Sequence, residues 1–174
     1  MSVQGIDYSR LSLRDALDMA ILIEEEAQER YEEFAHQMTI HHSPEPAAFF
    51  RFMAGNEARH GEQLAERRRQ LFADAPRTVT RTMLWDVEAP DYDAARAFMS
   101  PHEAMRAALA SEKKAQAFFA AALPQLDDPE VKALFAELCD EEVAHQDLVQ
   151  AELARLPAEP EESRDDFADE PTAQ

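Results

Sequence analysis

Hydrophobic positions along this chain recur at three- and four-residue intervals over four long stretches, the spacing that lines one face of an α-helix. Start signals frame each stretch. Ser12 with Asp15 makes a capping-box pattern ahead of a first helix that runs to about His41. Ser43 and Pro44 supply an N-cap and a first-turn proline for a second helix, which ends near Phe72. Ser100, Pro101 and Glu103 repeat that logic for a third, to about Leu123, and Asp128 with Pro129 opens a fourth, which reaches about Leu156 before Pro157. Only a few residues separate the first helix from the second and the third from the fourth, so each pair is expected to be an antiparallel hairpin. The connection from Ala73 to Met99 differs, being roughly 27 residues long with Pro76, Pro90 and the β-favouring run Thr78, Val79, Thr80. A crossover along the bundle is its simplest role, with a short helix around Tyr92 to Phe98 and Trp85 packed on the bundle. The expected fold is all-α: an antiparallel four-helix bundle over residues 1–156, two helical hairpins joined by a long crossover. Residues 157–174 hold seven acids, three prolines and one aromatic, Phe167, and read as an acidic, disordered tail.

Four acids break the pattern. Stepping about 100° per residue from Glu24 places Leu13, Leu17, Ala20, Ala27, Tyr31 and Met38 on its face, while Glu25, Glu26, Glu29, Glu32 and Glu33 rotate towards solvent. On the third helix Met105, Ala108, Ala115, Phe119 and Leu123 surround Glu112. On the second, Phe50, Met53, Leu64 and Leu71 surround Glu57 and His60; on the fourth, Val131, Phe135, Leu138, Val149 and Leu153 surround Glu142 and His145. Each helix thus offers one inward carboxylate near its middle, and two of them add a histidine one turn on. The halves also repeat. Ala16, Ala20, Glu24, Ala27 and Gln28 match Ala104, Ala108, Glu112, Ala115 and Gln116; Phe50, Glu57 and His60 match Phe135, Glu142 and His145. Tyr31 and Phe119 share a slot.

Burying four ionised carboxylates without compensation is prohibitive, so something positive must sit between them. Two divalent cations balance four carboxylates and leave both imidazoles as neutral ligands, with open positions for small molecules, as a reactive site keeps. Mixed carboxylate and imidazole donors suit iron or manganese. The rival reading is a bundle whose inward acids are protonated or bridged by water.

Composition narrows the class. At 174 residues the chain fits one domain. With 3 Gly it is poorly suited to the tight turns of a β-sandwich or barrel. Its 17 basic residues against 36 acidic ones give −19 and disfavour nucleic acid as a partner. A single cysteine, Cys139, rules out an internal disulfide or a four-cysteine site within this sequence and reads as a small buried hydrophobe. No apolar run approaches the ~20 residues of a membrane helix, and residues 2–6 show no secretory pattern, so a cytoplasmic location off the membrane is expected.

The doubled Glu-x-x-His hairpin, with Tyr31 seven residues after Glu24, resembles the ferritin-like di-iron family, and within it the rubrerythrin-type proteins, over about Ser9 to Leu156. That resemblance implies two iron ions as cofactors, with manganese or zinc as substitutes. It makes Glu24 and Glu112 terminal ligands, Glu57 and Glu142 bridging ones, His60 and His145 one ligand to each ion, and Tyr31 a hydrogen bonder behind the ligands. Rubrerythrins proper add a four-cysteine rubredoxin module and a further third-helix glutamate, where this chain has Ala115, so the site looks closer to ferroxidase centres. The implied activity is oxidation of Fe(II) by hydrogen peroxide or dioxygen, as ferroxidase or peroxidase, fed by ferrous iron itself or by a separate electron-donor protein; the Phe-rich helices and a crossover able to pack on a partner lead us to expect a homodimer. A dimanganese catalase-like enzyme and an iron storage or delivery subunit are the alternatives. Gln28 and Gln116 either orient a ligand or make sideways interhelical contacts. Tyr31 on its own reads as a core aromatic with a satisfied hydroxyl, and His41 and His42 as helix-end residues favoured by the dipole.

Overall fold

The computed structural model of the protein describes residues 7–84 and 100–158. Four long helices, α1 (Leu13–Ile40), α2 (Pro44–Phe72), α4 (Pro101–Ala122) and α5 (Pro129–Leu153), form a four-helix bundle, with one short helix, α3 (Arg81–Leu84), at the start of the crossover. Among the described residues every regular element is helical. The short links make α1 pack on α2 and α4 on α5 as antiparallel hairpins. The anticipated helix around Tyr92 to Phe98, the packing of Trp85 and residues 159–174 of the tail lie outside the described residues.

Caps explain the starts. The Ser12 hydroxyl accepts from the Asp15 backbone N–H at 3.2 Å and donates to its carboxylate at 2.6 Å. Ser100 and Glu103 close a full capping box, and Asp128 accepts from the N–H groups of Glu130 and Val131. Ser43 departs from expectation: its side chain makes no capping bond. Pro46 occupies the third helical position and has no N–H to offer, and the Ser43 N–H is committed to Met38 O at 2.8 Å, closing the end of α1. The third long helix ends one residue early in a 3-10 turn at Leu123–Gln125, and α5 ends at Leu153 rather than near 156.

The apolar core is divided along the bundle. One cluster gathers Leu17, Ile21, Leu64, Phe119, Phe135 and Leu138. The other gathers Tyr31, Phe34, Met38, Phe50, Met53, Met105 and Val149. Between them, at mid-length of each long helix, lie the buried polar side chains Glu24, Glu57, Glu112, Glu142 and His145. Leu71 does not join the apolar face assigned to it; close to the end of α2, it is 54% exposed.

A second buried charge holds the crossover's first segment. Asp18, fully buried in α1, pairs with the Arg68 guanidinium from α2, which also donates to Ala75 O at 2.8 Å. The Thr78 N–H donates to Asp18 Oδ2 at 3.4 Å and the Thr78 hydroxyl to Asp15. The expected β-favouring run is therefore a strap without regular structure, tied to helix carboxylates. Further on, Arg81 grips Glu29 with two bonds of 2.7 and 2.8 Å and Arg77 reaches Glu25 at 3.2 Å. This strap is why Glu25 and Glu26 are half-buried instead of facing open solvent like Glu29, Glu32 and Glu33. Asp18→Ala, which strands a buried guanidinium, is expected to cost about 3–5 kcal/mol in urea unfolding. Arg81→Ala, which removes an exposed pair, should cost about 1 kcal/mol or less.

Candidate metal centre

Hairpin pairing brings the middles of four helices to one level, and there each inward position carries a donor. Glu24, Glu57, Glu112, Glu142 and His145 each expose 5% or less of their surface, and His60 is half-buried. Their donor atoms gather in three sets, the members of each within 4.8 Å of one another: Glu57, His60 and His145; Glu24, His60 and Glu141; Glu112, Glu142 and His145. The two imidazole rings lie nearly parallel, 5° apart in tilt, with centroids 5.3 Å apart. His145 Nδ1 stands 3.3 Å from a Glu57 oxygen and 3.4 Å from a Glu112 oxygen. Across the two hairpins, the buried Tyr31 hydroxyl donates to Glu112 Oε1.

Electrostatics at this level are set by burial and by mutual contact. Burial, reinforced by the Glu141 and Glu112 charges, pushes the Glu24 carboxyl up to about 7 against the opposing pull of Glu57 and His145. Burial also acts upward on Glu112, but its bonds with His145, Glu142 and Tyr31 outweigh that and hold it below the usual range. His145 shows the complement: burial pulls it down, and Glu112 overcomes that and raises it. Burial lowers His60, helped by the nearby His145 and Arg59, so that ring favours its neutral, ligating form. Burial and the Glu112 carboxylate drive Tyr31 well above 10, leaving it a hydrogen-bond donor at any physiological pH.

These residues fit a pair of cations. His60 Nδ1 is buried without a hydrogen-bond partner among the described residues. Such an orphan costs about 1–3 kcal/mol, which a bound cation would recover. Oxygen-rich donors with two imidazoles suit iron or manganese, and Glu24, Glu57, His60, Glu112, Glu142 and His145 could hold them.

The family described as rubrerythrin matches residues 15–153, most of the chain and all six of these residues. The chain belongs to the rubrerythrin family. A solved structure titled as an uncharacterized conserved protein from Magnetospirillum magnetotacticum MS-1 is similar to it at 30% identity and a TM-score of 0.71, covering 86% of this chain and 99% of that one. No curated protein matches the chain. Among the described residues no helix is long and apolar enough to cross a membrane.

Within this rubrerythrin-family bundle, Ala115 is fully buried and offers no donor from α4. An extra carboxylate comes instead from α5: Glu141, which the one-inward-acid-per-helix reading missed because it is rotated about 100° from its neighbour Glu142. A signal was present in the repeat. Asn56 occupies the matching slot before Glu57 and is buried, and Glu141 is half-buried, so that slot leans inward in both hairpins. The bonds that the two glutamines make run sideways. The Gln28 amide donates along its own helix to Glu32 at 2.8 Å, and Gln116 accepts from Gln146 of α5 at 3.4 Å. Cys139 is half-buried beside Gln116 O, and burial raises its thiol further from reactivity.

Glu24 titrates near 4.5 when unfolded and about 7 when folded, so the metal-free folded protein holds an extra proton between those values. Its contribution to stability is full below the lower value and is lost as pH rises through the upper one. The melting temperature of chelator-stripped protein should fall between about pH 5 and pH 7.5, and Glu24→Gln should shrink that fall. Equal falls in both proteins would contradict the assignment.

Proposed function

We propose that this protein is a non-haem di-iron oxidoreductase, which oxidises Fe(II) with hydrogen peroxide or dioxygen as a ferroxidase or peroxidase. One observation carries the reading: four buried carboxylates and two imidazoles meet at one level between apolar clusters, with His60 Nδ1 left without a partner among the described residues. Glu24 with His60 and Glu112 with His145 would hold one ion each, and Glu57 and Glu142 would reach between the two. A bound pair of Fe(II) ions supplies two electrons, one from each, enough with two protons to reduce hydrogen peroxide to two waters.

The chain's own groups prepare the reaction. Phe119, Phe135 and Leu138 on one side and Tyr31, Phe50 and Met105 on the other keep bulk water from the layer, so each charge there acts at full strength. Tyr31 fixes one oxygen of Glu112 by donating its proton, leaving the other oxygen for a ligand. Phe119 in the matching slot has no hydroxyl, so the two halves are chemically unequal. The acidic surface of the chain, at −19, raises the local concentration of cations. A separate donor protein or Fe(II) itself would supply the electrons; this sequence, with Cys139 as its only cysteine, holds no four-cysteine site. A homodimer within the cytoplasm is the assembly we infer.

Anaerobic titration with Fe(II), followed by optical spectra on adding peroxide or air, tests the reading. Saturation at about two ions per chain and rapid oxidation are expected, with Glu57→Ala and Glu142→Ala losing both. Iron oxidation at the parental rate in either variant would refute it.

A further inference from the structure

The two halves of the bundle differ on the His60 side. In the first hairpin the slot before the Glu-x-x-His pair is Asn56, and its side-chain oxygen is occupied by a 3.0 Å bond from the Arg59 guanidinium. In the second hairpin the same slot is Glu141, whose carboxylate has an oxygen within 4.8 Å of donor atoms of both Glu24 and His60. A cavity of about 90 Å³ opens beside it between α2 and α5, walled by His60, Gln63, Arg67, Glu137, Leu138 and Glu141. That is room for a few waters or a partly hydrated ion. Arg67 and Glu137, 3.7 Å apart with side chains 41% and 64% exposed, stand where the cavity meets solvent. Glu137 lies one turn before Glu141 on α5, so two carboxylates lead from the surface to His60, whereas the neighbouring cavity along α2, walled by Arg59, Glu62, Glu66 and Gln70, touches no residue of the centre.

We propose that Glu141 is a seventh metal-binding residue, which takes a divalent cation together with Glu24 and His60 and receives it through the cavity between α2 and α5. The inference rests on the reading that the centre binds two cations. It makes the two positions unequal: the His60 position is the open one, through which ions exchange, and the His145 position, enclosed by Glu112, Glu142 and Tyr31, is the closed one. Glu141 also supplies from α5 the additional oxygen that Ala115 withholds on α4.

Titration with Co(II), followed by its d–d absorption, tests this without turnover. The parent protein should take up two ions per chain in two steps. Glu141→Gln, nearly isosteric and at a half-exposed position, should weaken one step about tenfold or more and leave the other unchanged. His60→Ala should remove that same step. Asp147→Asn, an equal loss of charge on the exposed side of α5, should titrate like the parent. If Glu141→Gln fails to fold, Glu141→Asp, which keeps the charge but withdraws the oxygens by one methylene, should show the same selective loss. A Glu141→Gln titration that superimposes on the parent, or that weakens both steps equally, overturns the role of Glu141 while leaving the two-cation centre standing. A parent protein that takes up no Co(II) overturns both.

Discussion

Everything in this bundle is organised around a polar layer that apolar packing alone would not tolerate. Four carboxylates and an imidazole, nearly all of their surface removed from water, cut the hydrophobic core into two clusters at mid-length of the helices. In the metal-free chain the layer survives by compromise: Glu24 retains a proton up to about 7, while Glu112 and His145 each favour the other's charged form. Each compromise costs stability that a better-matched positive charge would return. The clusters above and below supply the hydrophobic stabilisation that offsets this cost and shield the layer along the bundle axis.

The duplicated hairpin makes such a layer easy to encode. One Glu per helix and a His one turn later, repeated twice, deliver six donors to one height with no loop involved. Rigid helices rather than connections hold the donors, which suits a site whose geometry matters. The duplication is broken at particular places: Tyr31 corresponds to Phe119, Glu141 corresponds to Asn56, and among the described residues only the first hairpin carries a strap, pinned by Asp18 and Arg68. One half is tied shut by a phenol and the other opens on a cavity lined by acids.

Much of this was legible in the chain because helix physics is local. Ser12, Ser100 and Asp128 announce their helices, and the 3.6-residue period isolates Glu24 and Glu112 from the acids around them. What stayed hidden depended on contacts between distant residues. Asp18 looks like an ordinary helix acid until Arg68, fifty positions on, meets it. Ser43 looks like a cap until Pro46 is seen to remove the donor it would serve. Glu141 stands at the margin of the apolar face, where periodicity alone does not separate a half-buried acid from a solvated one; its repeat partner Asn56 decides the matter only once both are seen buried or half-buried.

The central claim is that paired cations hold this layer together. Crystals of the protein grown with Mn(II) and measured at the manganese absorption edge test it most directly. The account predicts two anomalous peaks about 3.5–4 Å apart, one beside Glu24 and His60 and one beside Glu112 and His145. A map with no peak between the hairpins, or with manganese only on the acidic surface, would contradict it.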